Sequence, residues 1–99
     1  MNKAELVEKV AIRTGMTPRE TRVLVDAIFD PDPEIGLIAA ELLKGGKVAI
    51  SGFGTFEARP RKARVGRNPH TGEPRDIPAT MAPTFKAGKP LKETLRSHS

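Results

Sequence analysis

The chain of 99 residues reads as an α+β protein. Helices come first, then a sheet that extends into a β-ribbon arm, then a short closing helix. Three observations predict this. Residues 3–43 carry apolar side chains at helical spacing between capping signals. Residues 47–59 and 73–86 carry strand-like runs set off by glycines. Between these runs, Arg59-Pro60-Arg61-Lys62-Ala63-Arg64-Val65-Gly66-Arg67 is cationic and has nothing to bury, and it ends in the turn signature Asn68-Pro69-His70-Thr71-Gly72. A strand that leaves the globule as a cationic arm, turns at Pro69 and returns accounts for all three.

The elements follow in order. Leu6, Val7, Val10 and Ala11 form one stripe of a helix over 3–14, with Asn2 as N-cap and Gly15 as the C′ stop. Ile12 lies off that stripe. Thr17-Pro18-Arg19-Glu20 starts a second helix: threonine caps, proline fits the first turn and glutamate at N3 completes a capping box. Val23, Leu24, Val25, Ala27, Ile28 and Phe29 then cover most of that helix's circumference, so it needs cover on several sides. One short chain can hardly supply that cover, which points to a partner subunit.

Asp30-Pro31-Asp32-Pro33 ends the helix near Phe29 or Asp30. Asp32 is expected to cap a fresh helix with Pro33 at N1, continued by Ile35, Leu37, Ile38, Leu42 and Leu43. Asp30, Asp32 and Glu34 together suggest a hard-cation site. The oxygen count and glycine placement of a calcium loop are missing, so break-and-cap is preferred and no metal is expected.

Lys44-Gly45-Gly46 is a turn. Strands are expected over Lys47–Ser51 and Thr55–Arg59, joined by Gly52-Phe53-Gly54. Along an extended arm, Arg59, Arg61, Ala63, Val65 and Arg67 fall on one face, and Pro60, Lys62, Arg64 and Gly66 on the other. Asn68–Thr71 suits a type I turn with Gly72 left-handed. Glu73–Thr80 returns, with Ile77 its only large apolar residue. Met81–Lys86 rejoins the sheet with Phe85 inward, Leu91 and Leu95 share a face of the closing helix, and Arg96–Ser99 is expected to fray.

Charge is unevenly distributed. The net charge is +5. Residues 1–46 hold six Lys/Arg and eight Asp/Glu, whereas residues 47–99 hold eleven and four. The second half thus carries the footprint of a polyanionic partner. Hydrophobic content is 37%, low for a chain that must bury a core, and oligomerisation is the available remedy. With no cysteine there is neither a disulfide framework nor a Cys-based zinc site. MNKAELVEKV lacks the apolar run of a signal peptide, and no run approaches a membrane span, so a soluble cytoplasmic protein is expected.

Enzymatic chemistry finds little support. His70 and His98 are the only histidines, one at the arm tip and one in the tail, neither with a triad partner. Gly52-Phe53-Gly54 lacks the third glycine of a dinucleotide fingerprint, and Lys44-Gly45-Gly46-Lys47 is not a P-loop. A nuclease would need its metal near the arm, and Asp30, Asp32 and Glu34 lie in the other half of the chain. No catalytic residue and no cofactor is expected.

The motifs resemble those of the bacterial histone-like HU/IHF family of DNA-bending proteins. The likeness rests on Gly52-Phe53-Gly54-Thr55-Phe56, Gly66-Arg67-Asn68-Pro69 with Thr71-Gly72, Ile77-Pro78-Ala79, Pro83, Phe85-Lys86, Gly88-Lys89 and Leu91-Lys92. Met1-Asn2-Lys3 with Glu5-Leu6-Val7 fits as well, so nearly the whole chain is covered. The resemblance implies an intertwined dimer with a helical base, a three-stranded antiparallel sheet with β-ribbon arms, and a short C-terminal helix. It implies one domain over 1–99, with a dimerisation base over 1–46, sheet and arm over 47–85, and the last helix over 86–99.

By the same resemblance, Pro69 is a wedge between base pairs, with Arg67 and Asn68 beside it in the minor groove. Arg59, Arg61, Lys62, Arg64 and Arg75 would line the arm. Lys3, Lys86, Lys89 and Lys92 would meet phosphates on the flanks, and Phe29, Phe53, Phe56 and Phe85 would form the dimer core. Two departures stand out: the proline-containing insertion over Asp30–Gly36, and Arg75-Asp76, where the family usually has an apolar residue followed by a basic or polar one.

The expected function is bending and compacting double-stranded DNA with little sequence specificity, as a nucleoid-associated homodimer preferring bent or distorted DNA. A heterodimer is allowed. The alternatives are an IHF-like sequence-specific bender and an RNA-binding protein. The arm has no aromatic residue to stack on unpaired bases, which weighs against the latter.

Overall fold

The computed structural model describes residues 1–77 and 79–98; Pro78 and Ser99, on which one family motif and part of the expected C-terminal fraying fall, lie outside it. The chain divides into two compact units, one up to Lys44 and one from Gly45 onward.

The first unit is helical. Helix α1 (Lys3–Thr14) is capped by Asn2, whose Oδ1 accepts from the Glu5 N–H at 2.9 Å. It ends at Gly15 with φ 75°, the left-handed conformation glycine adopts without strain. Val7 and Ala11 are buried and Ile12, off the stripe, is exposed. Helix α2 (Pro18–Phe29) starts at Thr17, whose Oγ1 accepts from the Glu20 N–H and donates to the Glu20 carboxylate. Thr21 and Val25 are buried between the helices' own turns and neighbours, whereas Val23 and Phe29 are 66% and 51% exposed. The Thr21 hydroxyl is satisfied by the Thr17 carbonyl at 2.8 Å.

The helix breaks at Asp30 as expected, but the restart differs. Asp32 caps only a single turn: its Oδ1 accepts from Glu34 N–H, and its carbonyl accepts from the N–H groups of Ile35 and Gly36. Helix α3 (Leu37–Leu43) begins later, with Gly36 as N-cap. The reason is the close pass of Gly36 over the Asp30 backbone, which turns the chain before a longer helix can propagate.

The second unit opens with β1 (Lys47–Ile50) and β2 (Gly54–Arg61), antiparallel, joined at a turn in which Phe53 N–H meets the Ile50 carbonyl and Gly52 takes φ 80°. Strands β3 (Arg64–Arg67) and β4 (Pro74–Ile77) form the outer ribbon, and β5 (Thr80–Ala87) returns beside β2. The three-stranded order is β1-β2-β5. Lys86 and Ala87 therefore belong to the sheet, paired with Thr55 and Gly54, and not to the closing helix. Gly88, whose N–H meets the Phe53 carbonyl at 2.8 Å, ends the strand and caps α4 (Lys89–Ser97). Arg96 and Ser97 continue that helix rather than fraying.

The sheet is two-faced. Val48, Phe56 and Phe85 share a cross-strand row, and the Phe85 ring contacts those of Phe56 and Phe53 at centroid distances of 4.8 and 5.5 Å. Phe53 and Phe85 nonetheless stay 46% and 43% exposed. Pro60 and Pro83 sit where β2 and β5 have only each other as neighbours, the edge positions at which a missing N–H costs no ladder bond.

Candidate nucleic-acid interface

The arm is a continuation of the central and edge strands of the sheet. Beyond Glu57, β2 leaves β1 behind and pairs with β5 alone, from Ala58↔Pro83 to Arg61↔Thr80. Two residues on each strand, 62–63 and 78–79, separate this ladder from the outer one, which begins at Arg64↔Ile77. The expected single run of alternation from Arg59 to Arg67 is thus interrupted at Lys62 and Ala63. Equal spacers on both sides mean that no register is lost across the interruption.

The tip is built from its own polar groups. Asn68 N–H donates to the Glu73 carbonyl, and Gly72 N–H to the Asn68 carbonyl at 2.7 Å, so the closing bond falls one residue later than a simple type I turn places it. Asn68 Oδ1 accepts from His70 N–H at 2.8 Å, an Asx turn across Pro69. Gly72 takes φ 74°. Arg67 Nη1 reaches the Gly72 carbonyl at 3.2 Å. Pro69 is left exposed at the apex, on a loop fixed by side chains on both sides of it.

At the root of the arm, Glu57 is buried to 9% exposure and holds two cations. Arg59 donates through Nε and Nη2 to Oε1 at 2.8 and 2.6 Å, and Lys47, its cross-strand partner, lies 3.3 Å from Oε2. The Arg59 hydrogen bonds hold the Glu57 carboxyl below the usual carboxylate range against the opposing effect of burial, and Lys47 adds to the lowering. Thr84 Oγ1 donates to the Glu57 carbonyl from the other neighbour strand. A cavity of about 340 Å³ opens here, lined by Glu57, Arg59, Thr84, Phe85 and Lys86.

The candidate residues thus fall into groups. Arg61, Lys62, Arg64, Arg67, Asn68, Pro69 and Arg75 lie on the arm, all on the surface apart from the half-buried Asn68. Arg59 lies at its root, tied to Glu57. Lys86 lies on the same sheet, exposed. Lys89 and Lys92 lie on α4, with Lys89 3.9 Å from Glu93. Lys3 stands in the helical unit, ion-paired with Asp26 of α2. Of the four phenylalanines, Phe53, Phe56 and Phe85 cluster, while Phe29 ends α2 in the helical unit. Sequence reasoning missed Glu57 and Lys47; a lone acid among basic strand residues was the available signal. Among the described residues no group of three or more His, Asp or Glu could hold a metal ion, and no helix is long and apolar enough to cross a membrane.

The family model for bacterial DNA-binding protein matches residues 1–96. The chain belongs to this family, the HU family. The HU relatives match along essentially their full length. A prophage-derived DNA-binding protein HU 2 of Bacillus subtilis is 50% identical over 97 residues, covering 98% of this chain and 99% of the relative. The DNA-binding protein HU of Geobacillus stearothermophilus is 47% identical over 96 residues, covering 97% and 100%. Among solved structures, an Anabaena HU–DNA cocrystal matches with a TM-score of 0.82 and 42% identity, covering 96% of this chain and 97% of that one. The HU fold is accordingly the fold of this chain: helices, a three-stranded antiparallel sheet with a ribbon arm, and a C-terminal helix.

Proposed function

We propose that this protein is an architectural DNA-binding protein that bends and compacts double-stranded DNA with little sequence specificity, without catalysing a reaction. The observation that carries the reading is the arm. Its outer cations have no carboxylate partner among the described residues, and its tip presents a proline on a preformed turn. The likeness to an HU chain crystallised with DNA supports the same use.

The arm enters the minor groove and Pro69 wedges between base pairs. A proline side chain is apolar, and its nitrogen has no donor to strand between unstacked bases. Unstacking costs a few kcal/mol per step, offset by added backbone contact on the bent duplex. Lys3, Arg59, Lys86, Lys89 and Lys92 meet phosphates along the flanks. Since the minor groove offers a degenerate pattern, readout is of shape and deformability.

The protein acts as a homodimer in the cytoplasm, on the nucleoid. The support is exposed apolar surface: Leu37 and Leu43 on α3 are 70% and 75% exposed, and the phenylalanine cluster is open. Phe29, Phe53, Phe56 and Phe85 fill the dimer core, and two arms then clamp one duplex. A native mass at twice the chain mass is expected.

The test compares bent, nicked or gapped DNA with intact linear duplex at several salt concentrations. Tighter binding to distorted DNA is expected. With six or more phosphates contacted by two arms, affinity falls by about a thousandfold or more between 50 and 200 mM salt. Equal affinity for all forms with a flat salt slope would overturn the reading. Pro69→Ala is expected to keep most of the binding and reduce the bend angle; an unchanged angle removes Pro69 from the wedge role.

A further inference from the structure

We propose that the outer arm below its tip, where Arg67 is drawn to Gly72 beside Pro69, engages DNA with one face, the face of Arg64 and Arg75, and that Arg75 is a groove-reading residue. This rests on the minor-groove reading above and adds an orientation to it. In an antiparallel ladder, directly paired residues share a face and successive residues alternate. The pairs are Arg64↔Ile77, Val65↔Asp76, Gly66↔Arg75 and Arg67↔Pro74. Arg64, Gly66 and Arg75 therefore share one face, and Val65, Arg67, Pro74 and Asp76 share the other.

The two faces differ in charge. The first carries two guanidinium groups and no acid. Arg64 and Arg75 are diagonal neighbours across the ladder, roughly 7–8 Å apart at the backbone, and among the described residues neither is ion-paired. Two like charges so placed repel in the free arm and are relieved against a polyanion. Asp76 cannot relieve them from the opposite face.

The second face sums to zero. Its one cation, Arg67, is drawn toward the tip, where Nη1 meets the Gly72 carbonyl. What remains around Asp76 is a carboxylate with no ionic partner among the described residues, beside Val65, which is 69% exposed. Placed against phosphates, that face would set carboxylate against anion.

Gly66 completes the first face. Arg75 stands opposite a residue with no side chain, so the paired position on the facing strand places no side chain in competition with it. Arginine inserted into a narrow, A·T-rich minor groove gains from the enhanced negative potential there. The ligand implied is thus a duplex whose minor groove is narrow where the arm lies.

The chain has no cysteine, so single sites can be labelled cleanly. R75C and D76C, each carrying the same short photo-crosslinker in the full-length protein, are irradiated on an A·T-rich duplex after gel shift confirms binding. Crosslinking from position 75, with little from adjacent position 76, is the expected result. Equal yield from both, or more from 76, overturns the face assignment while leaving the arm in contact with DNA. No crosslink from either, with DNA still bound, overturns the arm reading itself. In parallel, R75A is expected to lower affinity for the A·T-rich duplex by about tenfold and flatten its preference over a G·C-rich one. D76N should stay within about twofold of wild type, since the removed charge faces away from DNA. A large affinity gain in D76N, or an unchanged A·T preference in R75A, contradicts the proposal.

Discussion

Replacing Gly36 by alanine tests the corner that separates α2 from α3. Gly36 is buried, with φ −85°, so its conformation is open to any residue. The space is not. A Cβ there would run into the Asp30 carbonyl oxygen and lie 2.9 Å and 3.0 Å from the carbonyl carbon and nitrogen of the same residue. All three atoms are backbone, held by the Asp30 N–H bond to Asp26 and the side-chain bond to Asp32 N–H. No rotamer relieves the clash; the corner itself must shift. Overpacking costs about 1–3 kcal/mol, occasionally more, and a backbone obstacle puts this case at the upper end. Against it stands the ~0.4–1 kcal/mol that a glycine-to-alanine change gains from the unfolded chain. A net loss of about 2 kcal/mol corresponds to a Tm drop of roughly 8–16 °C for a domain of this size. Thermal unfolding of Gly36→Ala and wild type at one fixed protein concentration measures it, since association makes Tm concentration-dependent. Gly45→Ala is the control. Gly45 has φ 83° and nothing within 4 Å, so only left-handed strain of about 1–2 kcal/mol applies. A Gly36→Ala protein within about 0.5 kcal/mol of wild type would refute the packing account of this corner.

Two further outcomes follow from the sheet. At Gly54 a Cβ would lie 2.5 and 2.6 Å from Phe85 ring atoms and 2.7 Å from the Lys86 carbonyl oxygen; Gly54→Ala is expected to cost about 1–3 kcal/mol in chemical denaturation, and a neutral result would mean that β5 yields easily. Glu57 has a folded-state pKa below its ordinary 4.5. Its contribution is therefore complete above that value and lost as pH falls through the lower folded value. Glu57→Gln is expected to be less stable than wild type at neutral pH, with the difference in Tm shrinking in acid. A gap that stays constant with pH would show that the charge on Glu57 does not stabilise the sheet.

Much of the molecule was legible in local chemistry. Asn2, Thr17 and Gly15 bound the first two helices because caps depend on a few adjacent residues. The break at Asp30-Pro31 was equally local. Asp32-Pro33-Glu34 misled because the same Asx chemistry starts a single turn and a long helix alike. Only the pass of Gly36 over Asp30 decides between them, and contact between residues six apart is not written in a capping motif. Lys86 and Ala87 went to the sheet for a similar reason: their partners, Thr55 and Gly54, lie more than thirty residues earlier. Glu57 was missed because its partner across the ladder, Lys47, lies ten residues earlier. The arm cations, and the separation of Arg64 from Arg67 by alternation, were readable in the sequence, whereas setting Arg75 on the face of Arg64 required the register.

The outer ladder makes the arm a parity device. Its strands pair over four residues each, and side chains along them alternate with period two. Inserting one residue in each strand within that ladder, after Gly66 and before Arg75, would turn the tip and its Pro69 over relative to the face of Arg64 and Arg75, with composition and net charge of the flanking pairs unchanged. Inserting two in each would restore the original presentation on a longer reach. The reach of the outer arm is therefore adjustable only in steps of two residues per strand if its tip is to keep facing the same way.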